Sequence, residues 1–125
     1  MFRFNGVAGE LRALRSALAE LLRAEGWAED EMSDVLVVAS ELATNAVMHA
    51  QTPYEVRVSV AGGVELEVVD EAPELVPHLR RPGDGPGGMG MRIVDELAKR
   101  WGVEKRGNHK AVMVFLDRPR RTAAS

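Results

Sequence analysis

Three places in this 125-residue sequence combine residue types at spacings that could do chemistry. Glu41 and Asn45 stand four apart in Ser40-Glu41-Leu42-Ala43-Thr44-Asn45-Ala46-Val47-Met48-His49. Four residues make about one helical turn, so a carboxylate and an amide would share one face of a helix. The amide oxygen is a hard donor suited to Mg²⁺, and the carboxylate is a base able to take a hydroxyl proton. The same spacing also suits an ordinary solvated Glu–Asn pair. Asp70 follows the apolar run of residues 64–69. There it could accept a hydrogen bond from an exocyclic amine such as that of adenine, or simply open a loop. The third place is Gly83-Asp84-Gly85-Pro86-Gly87-Gly88-Met89-Gly90-Met91. Glycines let backbone approach a ligand closely, and a helix N-terminus attracts phosphate. No Gly-Lys-Ser/Thr follows, so this is not a P-loop. About eighteen residues part it from the preceding strand, so it is not a dinucleotide fingerprint either.

The flanking pattern predicts the elements that must hold these residues. Phe2-Arg3-Phe4 alternates like a short edge strand. Leu11, Leu14, Leu18, Leu21 and Leu22 recur at helical spacing within residues 8–25, and Gly26 is a stop signal. A second helix follows Trp27, with Glu29, Asp30 and Glu31 at its positive end, and runs to residue 50. It is apolar almost all round, which predicts burial and makes Glu41 and Asn45 need partners. Residues 54–60 and 64–69 alternate as two strands around a Gly62-Gly63 turn. Residues 71–88 read as a long irregular loop, and a helix starts near Met89. Residues 101–105 and 111–116 close the chain as a hairpin through Gly107-Asn108. The order predicts an α+β domain, a two-layer sandwich with helices on one face of a mixed, mostly antiparallel sheet.

Composition narrows the classes. The length suits one domain, assigned to residues 1–117, with 118–125 as a basic, disordered tail around Arg118, Arg120 and Arg121. No cysteine is present, which excludes disulfides, and His49, His78 and His109 lack metal-ligand spacing. A net charge of −3 and a pI near 5.6 argue against nucleic-acid binding. No apolar run approaches the ~20 residues of a membrane span, and no signal-peptide pattern opens the chain, so a cytoplasmic protein is expected.

In combination and order, these signals resemble the ATPase domain shared by DNA gyrase, Hsp90, histidine kinases and MutL, the GHKL group, with its Bergerat-type ATP-binding fold. The small stand-alone anti-sigma-factor serine kinases are the most similar in plan. Glu41-Leu42-Ala43-Thr44-Asn45-Ala46-Val47 matches the Asn box, and Gly88-Met89-Gly90-Met91-Arg92-Ile93-Val94 the second glycine box. The resemblance implies Mg-ATP as cofactor, with Asn45 on Mg²⁺, Glu41 as general base and Asp70 on the adenine amine. It further implies base contact at Ala72, backbone contact to phosphate at Gly88, Met89, Gly90 and Met91, and a mobile lid over residues 71–87. Where the family has Asp-x-Gly-x-Gly, this chain reads Asp70-Glu71-Ala72-Pro73-Glu74. Ala111 replaces a threonine common before the last strand, leaving Lys110 as a phosphate contact.

The resemblance implies a serine/threonine protein kinase acting on an antagonist protein and, through it, on a sigma factor and transcription. A homodimer is part of that expectation; nucleic acid and membrane partners are not. The altered glycine positions keep open a nucleotide-dependent switch without phosphotransfer, and an interaction module without nucleotide stands behind that. The stretch before the second helix contains no histidine, which disfavours a histidine kinase fragment.

Overall fold

The first two helices pack against each other through their apolar faces. In the structure, a computed structural model that describes residues 2–6, 10–46, 53–71 and 89–119, α1 (Leu11–Ala24) buries Leu14, Leu18 and Leu22 along one stripe. It ends in a Schellman turn: Trp27 N–H donates to Leu22 O at 2.9 Å and Gly26 N–H to Arg23 O at 3.0 Å. That turn needs the left-handed backbone of Gly26, at φ 86°. The chain then reverses into α2 (Glu29–Asn45), whose Met32, Val35, Val38, Ala39, Leu42 and Ala43 are buried. One face stays open at Ser33, Asp34 and Val37, so α2 is less enclosed than its composition suggests. Residues 47–50, expected to extend it, lie outside the described residues.

The strands are β1 (Phe2–Gly6), β2 (Tyr54–Val60), β3 (Gly63–Asp70), β4 (Arg100–Arg106) and β5 (His109–Asp117), with α3 (Met89–Leu97) before β4. They form one sheet in the order β1-β2-β3-β5-β4. All four pairings are antiparallel, so among the described residues the expected mixed sheet is wholly antiparallel. Alternation dictates the layers. Val56, Val68 and Val112 stand side by side, then Val58, Leu66 and Val114, then Val60, Val64 and Leu116. These rows meet the helices and complete the core. The other face carries an ionic ladder in which Glu67 accepts from Arg57 and Arg106.

The Gly62-Gly63 turn needs a correction. Ala61 and Gly62 make the bend, and Gly63 already belongs to β3. A Cβ at Gly63 would stand 2.6 Å from Leu116 O, so this glycine is required by the approach of β5.

Arg118 also departs from expectation. It is anchored where the tail was to begin: Nε donates to Glu31 Oε2 at 2.9 Å, Nη2 to Glu31 Oε1 at 3.0 Å and to Gly26 O at 2.7 Å. Its guanidinium lies 5.3 Å from the Trp27 ring centroid. Glu31 is buried and also accepts the Ala28 N–H at 2.7 Å, which closes the first turn of α2. One residue therefore ties the end of β5 to the α1–α2 turn. Arg118→Ala, which leaves a buried carboxylate without its cation, is expected to lower Tm by roughly 5–10 °C. Arg118→Lys should recover only part of that, because an ammonium cannot make the bidentate pair. Thermal melts of the three proteins test this.

Candidate functional site

Contacts at one end of the molecule fix what lies at the other. Arg118 holds the end of β5 beside the α1–α2 turn. The end of α3 is there too, since Lys99 N–H donates to Phe115 O at 2.8 Å and Lys99 Nζ lies 3.4 Å from Asp117. The opposite end therefore collects the start of α1, the last turn of α2, the end of β3 and the start of β5. The 9-residue α3 packs on α2 and carries its first turn back toward that end. Burial first, and the Glu10 carboxylate just before α1 second, raise the pKa of Tyr54 at the start of β2, in keeping with these two starts being neighbours. Asn45, Asp70 and the N-terminus of α3 thus share one end, though 25 residues separate Asn45 from Asp70 in sequence.

At that end the apolar rows give way to a polar one. Tyr54 faces Asp70 across β2–β3, and Asp70 faces Lys110 across β3–β5. All three are buried on the helix-facing side. Lys110 Nζ lies 3.3 Å from Asp70 Oδ2. The Tyr54 hydroxyl has no hydrogen-bond partner among the described residues, and burial, then Glu10, pushes its pKa up. Lys110, expected as a phosphate contact, has its ammonium beside Asp70. Its strand phase, shared with Val112, Val114 and Leu116, requires this.

On α2, Asn45 Nδ2 is buried and has no hydrogen-bond partner among the described residues, and the same is true of Ser40 Oγ. A buried amide end left unpaired costs free energy unless a ligand satisfies it. Rotation by 180° exchanges the amide's donor and acceptor, so the same group can present oxygen. Glu41 is half-buried one turn earlier. No group of three acidic or histidine side chains able to hold a metal occurs among the described residues. A cation here would have one oxygen ligand from Asn45 and take the rest from a bound ligand and water, the usual manner for Mg²⁺ with phosphates. The donor set fits Mg²⁺ only in that form.

Met91 is buried to 2% and anchors α3 with Val94, so its side chain serves the core and only its backbone is available to a ligand. Met89 and Gly90 form the first described turn of α3. Ala72, Gly88, His49, His78 and the expected lid lie outside the described residues. His109 is exposed at the start of β5, its Nε2 4.0 Å from Glu71. Sequence reasoning missed Tyr54 and the Arg118–Glu31 clamp. The strand phase of Tyr54, in step with Val56 and Val58, was the signal for the first.

Among the described residues no helix is long and apolar enough to cross a membrane. Residues 5–115 match the histidine kinase-like ATPase domain. A Streptomyces coelicolor protein described as uncharacterized protein SCO4941 is 35% identical over 79 residues, 58% of this chain and 75% of the relative. The crystal structure of the RsbU and RsbW domains of Rv1364c from Mycobacterium tuberculosis has a similar fold, with TM-score 0.67 and 19% identity. That likeness covers 97% of this chain and 34% of the other, so this chain spans about a third of the length of that structure. The expected ATPase-type fold is borne out, and by the match over residues 5–115 the chain belongs to the histidine kinase-like ATPase domain family.

Proposed function

We propose that this protein binds Mg-ATP at the shared end of α2, β3 and α3 and transfers the γ-phosphoryl group to a serine or threonine of an antagonist protein. The observation that carries the reading is Asn45 Nδ2, buried and without a hydrogen-bond partner among the described residues, at the same end as Asp70 on an ATPase-family fold. Asn45 would hold Mg²⁺ through its oxygen, Asp70 would accept the adenine amine, and the first turn of α3 would offer backbone N–H groups to phosphate. Mg-ATP supplies the transferable phosphoryl group and neutralises its charge. Glu41 would take the proton of the attacking hydroxyl as the new O–P bond forms and the bond to the β-phosphate breaks, releasing ADP. The proposal includes an anti-sigma kinase role, with a sigma factor as second partner, a homodimeric form and a cytoplasmic setting; the likeness in fold to a structure with an RsbW domain is in keeping with the kinase role.

The residues Ala72 and Glu74, where the family has glycines, favour a second reading: nucleotide binding drives partner binding without transfer. ADP release over time, with and without the antagonist, separates the two.

The binding itself is tested by calorimetry. Wild-type protein is expected to bind Mg-ATP with micromolar affinity. Asn45→Ala should weaken it by tenfold or more, as expected for a charge-assisted contact worth roughly 1.5–3 kcal/mol. With EDTA present the two proteins should bind alike. Absence of heat at millimolar nucleotide would retire the nucleotide reading.

A further inference from the structure

The polar row at the end of the sheet holds more than an acceptor. Three cross-strand rows of the covered face are apolar; the fourth, at the candidate site, contains a buried ion pair between Asp70 and Lys110. Such a pair is an expensive way to fill space, since apolar side chains of similar volume would be as stable or more so. Its location calls for a use in addition to stability. A carboxylate and an ammonium whose charged atoms stand 3.3 Å apart present an acceptor and a donor side by side. An ammonium has three donors and a carboxylate about four lone-pair positions, so both groups can serve more than one partner at a time.

Adenine presents a matching edge. Its exocyclic amine donates and its neighbouring N1 accepts. One acceptor alone, as a lone aspartate would give, reads only the amine. We infer that Lys110 is a specificity-determining residue that donates a hydrogen bond to adenine N1 while Asp70 accepts from the amine. The inference rests on the nucleotide reading above and adds to it a second point of base recognition. It also accounts for a lysine at a position where the strand's alternation demands an inward side chain. The pair then holds both groups in place before the base arrives, so little side-chain freedom is lost on binding.

The test uses wild-type protein and calorimetry with Mg²⁺, comparing ATP with 1-deaza-ATP, in which N1 is replaced by C–H. ATP is expected to bind at least tenfold more tightly. Lys110→Met should bind the two nucleotides within about twofold of each other, because the group that distinguishes them is gone. Circular dichroism checks that this variant is folded; should it not fold, the wild-type comparison decides alone. Equal affinity of wild-type protein for ATP and 1-deaza-ATP overturns the role of Lys110 and leaves the nucleotide reading standing. Failure of wild-type protein to bind ATP at all overturns both.

Discussion

Glu41→Ala is expected to reduce phosphotransfer to the antagonist protein by about 10²–10⁴-fold, the usual share of a general base. Mg-ATP affinity should change by less than about threefold, roughly 0.6 kcal/mol. The separation follows from where Glu41 stands. It is half-buried on α2 one turn before Asn45, while its neighbours Leu42 and Ala43 belong to the core. Alanine is the best helix former, so truncation leaves the helix and the Asn45 backbone in place. The nucleotide ligands named for binding, Asn45 and Asp70, are untouched. Glu41→Gln keeps the shape and removes the base, and should lose transfer to a similar degree. Loss of ATP binding together with transfer in both variants would make Glu41 a structural residue and return the proposal to a binding switch.

Local pattern made much of this protein legible. Period-two alternation identified β2 and β3, and helical spacing identified α1 and α2, because in each the side chains choose faces by the same geometry that the sequence prints. The three helices and both hairpins are where that pattern places them. Strand order is different. The pairing of β3 with β5 joins residues 40–54 positions apart, and no local period reports which strand a given edge will meet. Long-range partners are likewise outside what local pattern reports. Arg118 reads as tail because Glu31, which holds it, lies 87 residues away. Lys110 follows turn residues and so reads as a loop cation, whereas the phase of β5 turns it inward onto Asp70. Glu41, Asn45 and Asp70 were recognisable from a helical spacing and a strand end. That they meet at one end depends on the antiparallel α1–α2 pair and the clamp at its turn, which sequence alone does not report.

Asp70→Ala and Lys110→Ala are each expected to cost about 3–5 kcal/mol of stability, because each removes a buried ionic partner of the other. Against a total of roughly 5–15 kcal/mol for a domain, either loss brings the protein near its unfolding threshold. The double variant Asp70→Val/Lys110→Val should behave oppositely. It continues the row Val56–Val68–Val112 by one step and removes both charges, so its urea midpoint should equal or exceed that of wild type. The coupling between the two sites then has the sign of a pair that is costly to break and unnecessary to keep. Losses that simply add would mean that the two side chains stabilise the fold separately. The cycle also decides how the nucleotide site should be probed. A binding defect in Asp70→Ala mixes a lost ligand contact with a destabilised fold, whereas Asp70→Asn retains volume and one acceptor. A double valine variant that is as stable as wild type yet binds no Mg-ATP would show what the ion pair is for. Its charges would serve the ligand, and their burial would be a stability cost accepted at the functional end of an otherwise apolar sheet face.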